Sequence, residues 1–249
     1  MQPIPRVASS RRTVAGSLFF LLLIVGLTGC SSGPYAMQEG ELADRHLPPE
    51  REVAHHPDSL EALSIVEQEE GQVQYELEQS YRSMVEKWSV RCRYGCGQNY
   101  ATFRSLEVAL ASLQPEQGVL SLQPARAREI IQKRRTAYAS TIQIDVYWYW
   151  TGTNISGPGY RIELHVADST YHPVRKDYTP LRGTFTAGGR ALYRRNTFHF
   201  PRMVDGVDLL ENASSARLEI HKHGWRDFQF VWKWGKAQSL AQADGMEKQ

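Results

Sequence analysis

The chain is poor in the features that usually announce a molecular activity. No Gly-x-Ser-x-Gly elbow, His-Glu-x-x-His helix or Ser-x-x-Lys motif occurs, and no glycine-rich loop joins a strand to a helix. These absences weaken the hydrolase and nucleotide-binding readings that depend on such motifs. Charge of one sign is also missing, with 29 Lys and Arg against 27 Asp and Glu. Setting aside Arg6, Arg11 and Arg12 leaves 26 basic side chains for those 27 acidic ones. Without a basic surplus to neutralise phosphates, nucleic acid is not an expected partner. Cysteine is nearly absent, with only Cys30, Cys92 and Cys96 in 249 residues.

The first thirty residues contain no acidic residue. Arg6, Arg11 and Arg12 precede a stretch from Val14 to Gly29 that is apolar or small throughout. A basic start, a short apolar core and small residues before a cut site describe an export signal. The run falls short of the roughly 20 residues that span a bilayer, which argues against an uncleaved transmembrane anchor. Its end, Leu27-Thr28-Gly29-Cys30, resembles the lipobox of bacterial lipoproteins. The resemblance implies lipidation of Cys30 at sulfur, cleavage before it and acylation of the new amino terminus. It further implies attachment to the membrane through the lipid, since several acyl chains anchor stably where one does not. Ser31-Ser32 follows the cysteine in place of the aspartate that marks inner-membrane retention in that family. The outer membrane is therefore favoured if the cell is Gram-negative. Ser10-Arg11-Arg12-Thr13-Val14 is faintly similar to a twin-arginine signal, but the Leu/Phe core favours ordinary secretion.

Cys92 and Cys96 lie in the exported part, where two nearby cysteines most simply form a disulfide. The small loop they close is worth about 2 kcal/mol at most. A metal site there would need two further ligands, and the spacing is not that of a Cys-x-x-Cys redox pair. Residues 31–137 carry 12 basic and 16 acidic side chains, whereas 138–236 carry 13 and 9. Regions of opposite net charge are expected to dock on one another.

Residues 30–57 are polar and broken by Gly33, Pro34, Gly40, Pro48, Pro49 and Pro57. They are expected to form a flexible tether, with His55-His56 solvated, because few apolar residues offset the entropy of ordering. Residues 58–137 are expected to be helical. Asp58 and Glu61 have capping-box spacing, and Leu60, Leu63, Val66, Val73, Leu77, Tyr81, Met84 and Trp88 recur at mostly three- and four-residue steps. A second helix is predicted over 102–113, with Phe103, Leu106, Leu110 and Leu113 inward. A third starts near Pro124 and carries Ile130, Ile131 and Tyr138. Its Arg126, Arg128, Lys133, Arg134 and Arg135 are expected to meet acidic residues of the first helix, with anionic lipid headgroups as the alternative.

From Ser140 the period changes to two. Ile142, Ile144, Val146, Trp148 and Trp150 alternate with Gln143, Asp145, Tyr147 and Tyr149. The alternation returns at 162–166, 198–200, 218–221 and 228–234, with weaker strands near 172–186 and 190–195. Residues 138–236 are therefore expected to form a β-sandwich, and 237–249 a disordered tail. The fold class expected is α+β, an N-terminal helical region followed by a C-terminal antiparallel β-sandwich. Tyr160–Val174 and Phe198-His199-Phe200-Pro201-Arg202 resemble immunoglobulin-like extracytoplasmic sandwiches of bacterial lipoproteins, a likeness that transfers no functional residue.

Two constellations remain. His165, His199 and His221 share the outward phase and are candidate transition-metal ligands if their strands are neighbours. Single histidines on wet strand faces are common, so no metal or cofactor is expected. Tyr147 and Tyr149 offer a possible binding face for a polypeptide or glycan, unless the helical region covers them. The function expected is a non-enzymatic, lipid-anchored envelope module contacting an envelope protein or polymer. An envelope-polymer-modifying enzyme with an unfamiliar site is the alternative.

Overall fold

The computed structural model describes residues 33–68, 71–93, 96–149 and 154–235. The signal peptide, Cys30, Trp150 and the tail from 237 lie outside them. Strand β1 (Glu50–Val53) is followed by the hairpin β2 (Leu63–Glu67) and β3 (Val73–Leu77). Helix α1 (Tyr81–Lys87) leads into β4 (Ser89–Arg91) and β5 (Tyr100–Phe103). Helices α2 (Leu106–Ala111), α3 (Leu113–Gln117) and α4 (Pro124–Ser140) come next, and α4 runs directly into β6 (Thr141–Trp148). Then follow β7 (Tyr160–Val166), β8 (Ser169–Tyr171), β9 (Arg175–Tyr178), β10 (Arg182–Thr186) and β11 (Gly189–Pro201). Two short strands, β12 (Met203–Val204) and β13 (Val207–Asp208), precede β14 (Ser215–Lys222) and β15 (Phe228–Trp234).

One sheet has the order β1-β15-β14-β7-β8, and a second has the order β10-β11-β6-β5-β4 with β9 also paired to β11. The inward residues expected from the two-residue period are buried in one cluster. They are Ile142, Ile144, Val146, Trp148, Ile162, Leu164, Val166, Phe198, Phe200, Leu218, Ile220, Phe228, Phe230 and Trp232. Aromatic contacts join the sheets across this core. Trp148 of β6 meets Phe228 of β15 edge-on at 5.0 Å, and Phe103 of β5 lies 5.8 Å from Trp232 of β15. Trp232 Nε1 donates to the Trp88 carbonyl at 2.9 Å, so the indole keeps a partner while buried. The Cys92–Cys96 disulfide is present beside β4.

The expected fold class is overturned. The chain is mostly β, and its helices are interleaved with strands rather than gathered ahead of one sandwich. Strands β4 and β5 precede α2 yet belong to the sheet of β6, and β1 pairs in parallel with β15. Leu63–Glu67 and Val73–Leu77 pair as a hairpin where a helix was expected. Leu63 and Tyr75 are buried, and alternate residues such as Ser64 and Gln74 are exposed. β-branched Ile65, Val66 and Val73 favour the extended chain, and Gly71 takes φ +73 in the turn, where its amide bonds the Gln68 carbonyl. Asp58 caps no helix, because its carboxylate accepts from Arg202 and from the Tyr138 hydroxyl. The second predicted helix is shorter than expected. Phe103 ends a strand, and Ser105 caps α2 by accepting from the Val108 amide. Helix α4 begins at Pro124 as expected, since proline at the first position sacrifices no helical hydrogen bond.

The expected tether belongs to the folded body from Pro34 onward. Leu42, Leu47 and Val53 are buried, and β1 extends the first sheet. His55 and His56, expected in solvent, are 5% and 3% exposed. The His55 ring lies edge-on to Trp88 and bonds Glu61, while His56 Nε2 bonds the Leu210 carbonyl at 2.9 Å. Val53 pairs with Trp234 across β1 and β15, a partner so far away in sequence that local composition does not reveal it.

Candidate functional site

Strand alternation places Gln143, Asp145 and Tyr147 of β6 on the face opposite the apolar core. Pairing sets Arg195, Thr197 and His199 of β11 beside Tyr147, Asp145 and Gln143. Asp177 and Arg175 of β9 then flank Thr197 and His199. Helices α2, α3 and α4 rise alongside and enclose a cleft of about 490 Å³. Arg104, Glu116, Arg134, Tyr138, Arg175 and Arg195 are among its lining residues. A second cleft of about 280 Å³ shares Arg104, Glu116 and Arg195 and continues toward Glu39 and Arg182.

The centre of this system is ionic. Arg104 Nε donates to Asp145 at 2.8 Å, and its Nη2 donates to Glu116 at 3.2 Å. Arg134 Nη2 reaches the other Glu116 oxygen at 2.9 Å. Thr197 Oγ1 donates to Asp145 at 2.7 Å. Arg195 Nε lies 3.1 Å from Glu39. Buried Arg104 Nη1 has no hydrogen-bond partner among the described residues. Burial pushes the Asp145 and Glu116 carboxyls up, but the surrounding guanidiniums outweigh it and hold both below the ordinary range. Burial and the Arg175 charge push His199 down, against the pull of Asp177. Its ring is therefore neutral near pH 7.

Tyr147 and Tyr149 do not form an open binding face. Tyr147 is 7% exposed and stacks on Tyr100 with centroids 4.5 Å apart. Tyr149 is half-buried, stacks on Tyr193 and donates its hydroxyl to the Gly40 carbonyl at 2.6 Å. Part of the segment expected as tether covers Tyr149 and Tyr193, whose hydroxyls donate to the Gly40 and Glu39 carbonyls. Its docking also brings Glu39 to Arg182 and Arg195, one of several ion pairs linking the two oppositely charged parts of the chain.

The three candidate histidines do not converge, because His199 belongs to the β6 sheet. His165 and His221 share the outer face of β7 and β14 and stand beside Glu163 and Glu219. Glu163, His165 and Glu219 each offer one ligand atom, and these atoms lie within 4.8 Å of one another. The histidines stand out in the sequence and the carboxylates do not, although each glutamate stands two residues before a histidine. Arg134 is visible in the sequence only as part of a basic helix, and Arg104, Asp145 and Arg195 are not singled out by any motif. Charged residues in the wet phase of otherwise apolar strands were the available signal.

The chain matches no protein-family model, no curated protein and no solved structure. Among the described residues no helix is long and apolar enough to cross a membrane.

Proposed function

We propose that this chain is a lipid-anchored envelope protein, held by Cys30, whose body is a non-enzymatic binding module. The lipobox-like Leu27-Thr28-Gly29-Cys30 supports the anchor, and the absence of an aspartate after Cys30 favours the outer membrane of a Gram-negative cell. The ligand-binding surface is the cleft under α2–α4, and the ligand presents a carboxylate or phosphate there. One observation carries this assignment. Arg104, Arg134, Arg175 and Arg195 line the cleft against Glu116 and Asp177, with Asp145 beneath. With Glu39 on Arg195, four guanidiniums meet four carboxylates, and buried Arg104 Nη1 keeps no hydrogen-bond partner among the described residues. Such forks match planar or tetrahedral anions and bind them more strongly in a partly desolvated site. An acidic envelope protein or an anionic envelope polymer supplies that chemistry.

Mass spectrometry of the mature amino terminus tests the anchor, with a diacylglyceryl cysteine at position 30 as the expected result. Affinity capture from crosslinked envelopes tests the cleft. Wild type is expected to retain a specific acidic partner, and the double variant Arg134→Glu/Arg175→Glu to lose it at least tenfold. Equal capture by both proteins contradicts the assignment.

A further inference from the structure

The outer face of β7 and β14 carries a pattern repeated on both strands. Arg161-Ile162-Glu163-Leu164-His165 and Arg217-Leu218-Glu219-Ile220-His221 have the same order of arginine, glutamate and histidine. The strands are antiparallel, with Glu219 opposite Glu163, His221 opposite Arg161 and Arg217 opposite His165. The repeat therefore meets itself about a local two-fold through the glutamate pair. Corresponding atoms make corresponding contacts. Arg161 Nε lies 3.3 Å from Glu163 Oε1, and Arg217 Nε lies 2.9 Å from Glu219 Oε1. Across the strands, His221 Nε2 lies 2.9 Å from Glu163 Oε2, and His165 Nε2 lies 3.3 Å from Glu219 Oε2. His221 Nε2 is also 3.4 Å from Glu219 Oε2.

We infer that Glu163, His165, Glu219 and His221 form a binding site for a divalent transition metal of the zinc class. Like charges directly opposite on neighbouring strands are destabilising; Arg161 and Arg217 offset the glutamate pair from the Oε1 side, and a metal ion would do so from the Oε2 side. The arginines and Gln229 engage the Oε1 atoms, which leaves both Oε2 atoms turned toward imidazole nitrogens. The far nitrogens of the histidines are held as metal-bound histidines usually are. His221 Nδ1 is 2.8 Å from Asp227, an acceptor for an Nδ1–H hydrogen bond that would direct the Nε2 lone pair to a metal. His165 Nδ1 is 3.0 Å from the Thr170 hydroxyl, and its buried Nε2 has no hydrogen-bond partner among the described residues. Ligands about 2.0–2.2 Å from a tetrahedral zinc lie about 3.3–3.6 Å from each other; the imidazole–carboxylate spacings here are 2.9, 3.3 and 3.4 Å, and the Glu163, His165 and Glu219 atoms lie within 4.8 Å of one another. Two imidazoles with two carboxylates favour zinc-class ions over magnesium or calcium, which prefer all-oxygen shells. This site lies on the other sheet from the arginine cleft and stands independently of it.

The test is zinc binding by the full chain after chelator treatment, read by equilibrium dialysis and by metal-dependent thermal shift. One tightly held zinc per chain is expected, with magnesium giving no shift. His165→Asn and His221→Asn should each weaken zinc binding at least tenfold, while exposed His46→Asn leaves it unchanged. Far-UV circular dichroism establishes that the variants remain folded. If one of them unfolds, Glu163→Gln provides the same reading. Failure of wild type to hold zinc overturns the proposal, as does zinc binding that survives in folded His165→Asn and His221→Asn.

Discussion

Arg104 and Asp145 form a buried ion pair at 2.8 Å, linking the loop before α2 to the middle of β6. The pair sits beneath the cleft and joins its helical wall to its sheet floor. A buried pair of this kind is costly to break, because removing one partner strands the other in a poorly solvated place. Asp145→Ala is therefore expected to lower stability by about 3–5 kcal/mol, measured by urea unfolding. Replacing both partners with apolar residues, Arg104→Met with Asp145→Leu, should recover much of that loss.

Acid should weaken the body in two separate ranges. Asp145 and Glu116 have folded pKa values below their unfolded values, despite the opposing effect of burial, because arginines surround them. Their contribution is complete above about pH 5 and is lost as pH falls through the lowered values. His199 is also lowered, by burial and then by Arg175, with Asp177 and Asp145 opposing. Its contribution is complete above about pH 6.5 and is lost as pH falls toward the folded value. Urea midpoints measured from pH 8 to 2 should decline in both ranges, and His199→Gln should flatten the upper one alone.

The docking of residues 34–44 depends on Gly40. Its φ is +82, and a Cβ there would lie 2.8 Å from the Tyr149 hydroxyl and 2.9 Å from the Tyr193 ring. Gly40→Ala should cost more than about 1 kcal/mol through the backbone conformation alone. Limited proteolysis should show earlier cleavage before residue 50. Tyr149→Phe removes only the hydroxyl bond to Gly40, so about 0.5–1.5 kcal/mol is expected.

The shared core supplies the sharpest packing test. Leu164 and Phe230 are fully buried on β7 and β15, the two strands that flank β14. Replacing either with alanine should cost about 2–5 kcal/mol by leaving a cavity.

The sequence was most legible where period and partner were both local. From Ile142 to Trp148 and from Phe228 to Trp232, alternation identified the strands and the face each buries. It was least legible where one spacing suits two structures. Leu63, Val66, Val73 and Leu77 fit a helical stripe, yet long-range packing of Leu63 and Tyr75 made the segment a hairpin. The segment around Leu42, Leu47 and Val53 looked too polar to fold because its apolar partners lie elsewhere in the chain. Site residues were readable as types and not as neighbours. Strand order separated His199 from His165 and His221, and brought Arg195 beside Tyr147.

The central claim is that the arginine cleft is where the envelope ligand sits. Site-specific photo-crosslinking in living cells tests it most directly, with the probe placed at Arg175 on the cleft wall or at Phe185, which is 85% exposed on β10 and does not line either cleft. The account predicts one discrete adduct from position 175, carrying an acidic protein or anionic polymer, and none of that species from position 185. Absence of an adduct at 175, or the same adduct from both positions, would contradict it.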